Sequence, residues 1–131
     1  MKLDQILETC LYVNDLKASR HFYESRLGLD FHSEAEGRHV FFRLGNGMFL
    51  LFNAAATRSP DSEFPPHGST GTGHAAFHVP PEDIPQWRQR LQDIGIPIEK
   101  EWTWPNGAIS IYFRDPSDNL LEITVASLWG Y

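Results

Sequence analysis

Only one cysteine, Cys10, stands in the chain, so no disulfide can close within it. The expected location is a reducing cytoplasm. Positive charge is scarce: 11 Lys and Arg against 17 Asp and Glu leave a net charge of −6, and the pI is near 5.4. That balance counts against nucleic acid or an anionic membrane surface as a partner. No apolar run comes near the roughly 20 residues of a membrane-spanning helix. Residues 1–5 (M-K-L-D-Q) carry no apolar signal region. What is present is a chain of 131 residues, 41% hydrophobic and 21% charged. That is the make-up of a folded protein of one domain, or of two small units sharing a core.

One pattern occurs twice. Residues 7–13 (L-E-T-C-L-Y-V) lead into a helix-like run and Gly28; residues 73–79 (G-H-A-A-F-H-V) lead into a helix-like run and Gly95. Phe42-Arg43 leads through a turn to Leu51-Phe52, and Phe113-Arg114 leads at the same spacing to Glu122-Ile123. An internal repeat means one structural unit used twice. On this spacing Glu8 is equivalent to His74, and Leu51 to Glu122. Where equivalent positions differ in chemistry, a site is expected.

The elements follow from punctuation and period. Residues 1–13 read as a strand. Asn14-Asp15 offers a helix cap, and Leu16, Ser19, Phe22, Tyr23 and Leu27 recur at helical spacing before Gly28. Strands are expected over 29–33, 38–44 and 48–53, with turns at Glu36-Gly37 and Gly45-Asn46-Gly47. Residues 54–72, rich in Pro, Gly, Ser and Thr, read as a linker. The second half repeats the order: a strand over 73–79, a helix over 83–94 with Ile84, Trp87, Leu91 and Ile94 on one stripe, and strands over 98–102, 108–114 and 120–125. The tail 127–131 carries Trp129 and Tyr131 as packing candidates. The class is α+β, with βαβββ units at 1–53 and 73–131.

Side chains alternate faces along a strand. Thr9, Leu11 and Val13, with Ala75, Phe77, Val79, Leu121, Ile123 and Val125, give an apolar face suited to lie under a helix. The other face carries Glu8, His74 and Glu122. A carboxylate on a sheet's inner face is costly unless paired or bound to a cation. An imidazole and two carboxylates converging there suit a divalent metal.

The segments 11–29 (L-Y-V-N-D-L-K-A-S-R-H-F-Y-E-S-R-L-G-L), 73–79 and 112–123 (Y-F-R-D-P-S-D-N-L-L-E-I) resemble the vicinal oxygen chelate superfamily. That group includes glyoxalase I, fosfomycin-resistance thiol transferases, bleomycin-resistance proteins and extradiol dioxygenases. The last segment is close to its aromatic-x-D-P-x-G-N-x-x-E pattern, with Asp118 where Gly is usual. The resemblance implies a glyoxalase-like fold, two units pairing into an open eight-stranded cup. It implies metal positions at Glu8, Leu51, His74 and Glu122. His74 and Glu122 are usual ligand types, Glu8 stands where His or Gln is commoner, and Leu51 cannot ligate. The expected ligands are therefore Glu8, His74 and Glu122, as in the three-ligand thiol transferases. One divalent ion (Zn, Mn, Ni or Fe) would leave positions open for a small oxygen-chelating substrate. The implied activity is of lyase, isomerase or thiol-transferase type, with Glu8 and Glu122 as catalytic carboxylates and Glu8 the candidate base. The rival is a non-catalytic, bleomycin-resistance-like binder of small molecules. A homodimer is expected, with units pairing within or between chains.

Blander roles fit the neighbours. His78 suits a wall or hydrogen-bonding duty, His67 an exposed loop, and Cys10 a small buried hydrophobe. Trp102, Trp104, Phe41 and Phe49 divide between lining a pocket and ordinary packing. Arg43 and Arg114, at equivalent positions, suit a structural role common to both units.

Overall fold

Asp15 sets the first helix: its Oδ1 accepts the Ala18 backbone N–H at 2.9 Å and opens α1, Leu16–Arg20. The coil then widens into a π-helical segment, His21–Arg26, with the Leu27 N–H reaching back to the Phe22 carbonyl at 3.0 Å. The widened turn accompanies burial of two adjacent rings, Phe22 and Tyr23. Tyr23 lies 5.9 Å from Phe42 and 5.4 Å from Phe49, centroid to centroid. Gly28, at φ 82°, follows in a backbone conformation that suits glycine.

The computed structural model describes residues 1–131. It divides into two units, Met1–Thr72 and Gly73–Tyr131. In the first, β1 (Glu8–Tyr12), β2 (Asp30–Ala35), β3 (His39–Leu44) and β4 (Gly47–Phe52) form a four-stranded sheet in the order β1-β4-β3-β2. β1 runs parallel to β4, and the other pairs are antiparallel. The strand expected over 1–13 starts only at Glu8; residues 1–7 are exposed and form no strand. The stretch read as a linker opens with a short helix, α2 (Ala54–Thr57), because Asn53 caps it through the Ala55 and Ala56 N–H groups.

In the second unit, β5 (His74–His78), β6 (Lys100–Thr103), β7 (Ile109–Arg114) and β8 (Leu120–Thr124) form a sheet in the order β5-β8-β7-β6. A 3₁₀ turn at Pro81–Asp83 leads into α3, Ile84–Asp93. Ile84 and Leu91 are buried, as their stripe requires. Trp129 and Tyr131, by contrast, stay 78% and 92% exposed, while the Asn106 amide holds the tail by donating to the Ser127 carbonyl at 2.9 Å. Both units thus repeat one topology.

The register corrects one equivalence. The Val13 N–H bonds to the Phe52 carbonyl at 2.8 Å, and the Val79 N–H to the Thr124 carbonyl at 2.9 Å. Arg43 pairs with Met48, and Arg114 with Leu120. The first turn therefore spans 44–47 and the second 115–119, one residue longer. Asp118, at φ 64°, sits in this longer turn. Leu50, not Leu51, is thus the counterpart of Glu122. Equal spacing along the chain hid the difference in turn length. Leu50, like Leu51, has no donor atom, so the ligand count is unchanged.

Candidate metal centre

β8 places Glu122 between Ala76 of β5 and Tyr112 of β7. Its side chain is 7% exposed, whereas that of His74 is 48% exposed. His74 begins β5 beside Leu120. Its Nδ1 lies 3.0 Å from the Leu120 carbonyl oxygen. A carbonyl only accepts, so Nδ1 carries a proton and the ring turns Nε2 toward the carboxylate. That Nε2 stands 3.3 Å from Glu122 Oε2. So close an approach of the two atoms calls for a proton or a metal ion between them. Nitrogen and oxygen ligands about 2.1 Å from one ion lie roughly 3.0–3.4 Å from each other. The observed separation fits a shared divalent ion, and the Leu120 carbonyl fixes the ring as an outer partner of a ligating histidine does.

The other carboxylate oxygen is held from behind. Ser110 Oγ donates to Glu122 Oε1, and the Trp104 indole N–H donates to Ser110 Oγ at 2.8 Å. Thr124 Oγ1 donates to the Ile109 carbonyl at 3.1 Å and lies 3.1 Å from Ser110 Oγ. Tyr112 also hydrogen-bonds Glu122; burial above all, with the carboxylate's charge, raises its phenol above 10.0, against a lowering hydrogen bond from Ser110. One oxygen of Glu122 thus faces His74 while the other is committed to the sheet. Sequence reasoning missed Ser110, Tyr112, Thr124 and the hydrogen-bonding part of Trp104. The signal was parity: Ser110 and Tyr112 alternate onto the face of Glu122 in the strand I-S-I-Y-F-R.

Glu8 lies on the first unit, exposed at the start of β1 opposite Met48, beside an open hollow lined by Gln5, Leu7, Thr9, Asn46 and Met48. The chain brings His74 and Glu122 together but gathers no group of three or more His, Cys, Asp or Glu side chains. Cys10 is half-buried opposite Leu50. Cys10 also borders Tyr12, whose phenol is raised above 10.0 first by burial and then by Cys10. His78 is exposed at the end of β5, opposite Thr124. His67 is an exposed loop residue, as expected; its Nδ1 meets the Tyr12 hydroxyl at 2.7 Å and its ring meets Phe52 at 4.8 Å. Phe49 is core, and Phe41 stacks on His39 at 3.9 Å. Arg114 binds Glu99 through two hydrogen bonds, at 2.6 and 3.0 Å. Arg43 is only within 4.0 Å of Asp30, so the two arginines do not share one role.

Known proteins carry the same architecture. The chain is 36% identical to the crystal structure of lactoylglutathione lyase from Agrobacterium tumefaciens, with a TM-score of 0.96 over 100% of both chains. It is 32% identical over 118 residues to the metallothiol transferase FosB of Bacillus licheniformis, covering 89% of this chain and 72% of the relative. Identity to the glutathione transferase FosA of Serratia marcescens is 33% over 130 residues, covering 96% and 84%. The model of the Glyoxalase/Bleomycin resistance protein/Dioxygenase superfamily matches residues 2–123, which span both β-α-β-β-β units short of the last residue of β8 and include the His74–Glu122 pair. With fold, repeat and relatives in agreement, the chain belongs to that superfamily.

Proposed function

We propose that the protein is a metal-dependent enzyme acting on a small molecule with two adjacent oxygens, by thiol-transfer or lyase chemistry. The carrying observation is the 3.3 Å approach of His74 Nε2 to Glu122 Oε2, with the opposite ring nitrogen held at Leu120. His74 and Glu122 would hold one divalent ion, with Glu8 as third ligand. Such an ion, when bound, acts as a Lewis acid toward adjacent substrate oxygens. Ser110 and Tyr112 keep the buried Glu122 carboxylate oriented. Glu8, exposed at the start of β1, is the carboxylate that would leave the ion and accept a substrate proton. The names of the relatives, a lactoylglutathione lyase and two thiol transferases, support these two reaction types over a non-catalytic role.

The deciding experiment is elemental analysis of protein purified without a metal-chelating tag, followed by assays of glutathione transfer and of lactoylglutathione turnover before and after chelation. About one divalent ion per chain, with activity lost on chelation and restored by the metal, is the expected result. Metal-free protein that binds no added divalent ion would move the reading to a small-molecule binder.

A further inference from the structure

Beside the His74–Glu122 pair lies an open hollow of about 470 Å³, lined by Glu99, Lys100, Trp102, Trp104, Tyr112 and Leu120. The register places it. Lys100 pairs with Tyr112, which pairs with Glu122; Trp102 pairs with Ser110. Lys100, Trp102, Tyr112 and Leu120 therefore share the sheet face that carries Glu122 and His74. Trp104 is tied to that face through Ser110. Its volume suits part of a small molecule rather than a polypeptide.

The lining is aromatic and nearly free of unpaired acid. Glu99 is engaged by Arg114. Trp102 keeps 47% of its surface exposed, and the Lys100 ammonium lies 4.8 Å from its ring centroid. A large indole left open beside two oxygen- and nitrogen-bearing ligands is a surface for another π-system. We infer that this hollow is the subsite for an aromatic ring carried by the substrate, so that the preferred substrates are small ring-bearing molecules whose adjacent oxygens reach His74 and Glu122. The inference rests on the metal-dependent reading above. Lys100 at the rim suits a substrate that also bears an acidic group.

The test uses two probes with the same adjacent oxygens, lactate and 3-phenyllactate, which differ by one phenyl ring. Binding is measured by titration calorimetry on the whole protein, both loaded with Mn²⁺ and treated with chelator. The wild type should prefer phenyllactate by about tenfold or more, the value of burying most of one ring. Trp102→Ala should cut the preference to about twofold or less, while lactate and Mn²⁺ affinities stay as in the wild type. Trp102→Phe should keep most of the preference. Equal binding of the two probes by the wild type, or a preference that survives Trp102→Ala, overturns the subsite. Phenyllactate binding that weakens as protein concentration rises also overturns it, because a second copy would then cover the hollow. Failure of Mn²⁺ to bind strikes the metal reading alone, since the ring preference is also measured in chelated protein.

Discussion

Glu122 is a buried carboxylate whose two oxygens have different duties. One is spent on Ser110; the other stands 3.3 Å from Nε2 of a histidine whose Nδ1 is held at the Leu120 carbonyl. Removing either partner should therefore act on the ion before the fold. Glu122→Gln and His74→Ala are expected to lower divalent-metal affinity at least about 100-fold, measured by calorimetric titration, with the circular dichroism spectrum unchanged. Ser110→Ala should cost roughly 10–100-fold in the same titration, because an outer hydrogen bond is lost but both ligands stay. Equal metal affinity in all three variants would place the ion elsewhere. Asp118 poses a separate test, in stability. Its φ of 64° suits glycine, and Asp118→Gly should raise stability by about 0.5–1 kcal/mol in urea unfolding. The pairing of His74 and Glu122 was readable in the sequence because alternation sets both on the strand face opposite the apolar one. Ser110 and Tyr112 were not, because one serine and one tyrosine in a strand look the same whether they pack or hold a carboxylate.

The strands and helices of both units were readable from turn glycines and period, since those features act locally. Three other features were not. The π-helical segment answers to the packing of Phe22 and Tyr23 on the sheet. The α2 helix depends on the Asn53 cap inside a stretch whose composition reads as loop. The counterpart of Glu122 shifts by one because a turn gains a residue. Strand β3 adds a pH dependence. Burial, and then the neighbouring Arg38 charge, lower His39 below its ordinary 6.5. The fold therefore prefers neutral His39, and that contribution is complete above pH 6.5 and fades as pH falls through the lower folded value. A decline in melting temperature from pH 7 toward 5 is expected, and His39→Phe should flatten it by retaining the stacking on Phe41. Glu99 and Glu101, held below 4.5 by Arg114 and Arg88, withdraw their stabilisation only at more acid pH, so the two windows separate. An unchanged acid slope in His39→Phe would assign it to other groups.

The ligand set proposed above draws on residues of both units. His74 and Glu122 come from the second; Glu8 stands exposed on β1 of the first. Each four-stranded sheet also ends in outer strands with one unpaired edge, which another copy can cover. A homodimer is expected, with light scattering giving about twice the 15.0 kDa chain mass. If the site is assembled across the dimer, Glu8 of one chain serves His74 and Glu122 of the other. Complementation separates the arrangements. Glu8→Ala and His74→Ala chains bind metal weakly on their own. Unfolded together and refolded at equal amounts, they pair at random, and half of the dimers are mixed. Each mixed dimer then has one site with both chains' intact residues, so about a quarter of the wild-type tight sites should return. If each site draws on one chain alone, every site in the mixed dimer lacks a ligand and none returns. A mixture that binds no more tight metal than its parents would therefore place the three ligands within one chain, and a Glu8→Ala chain that binds at full affinity would remove Glu8 from the ligand set.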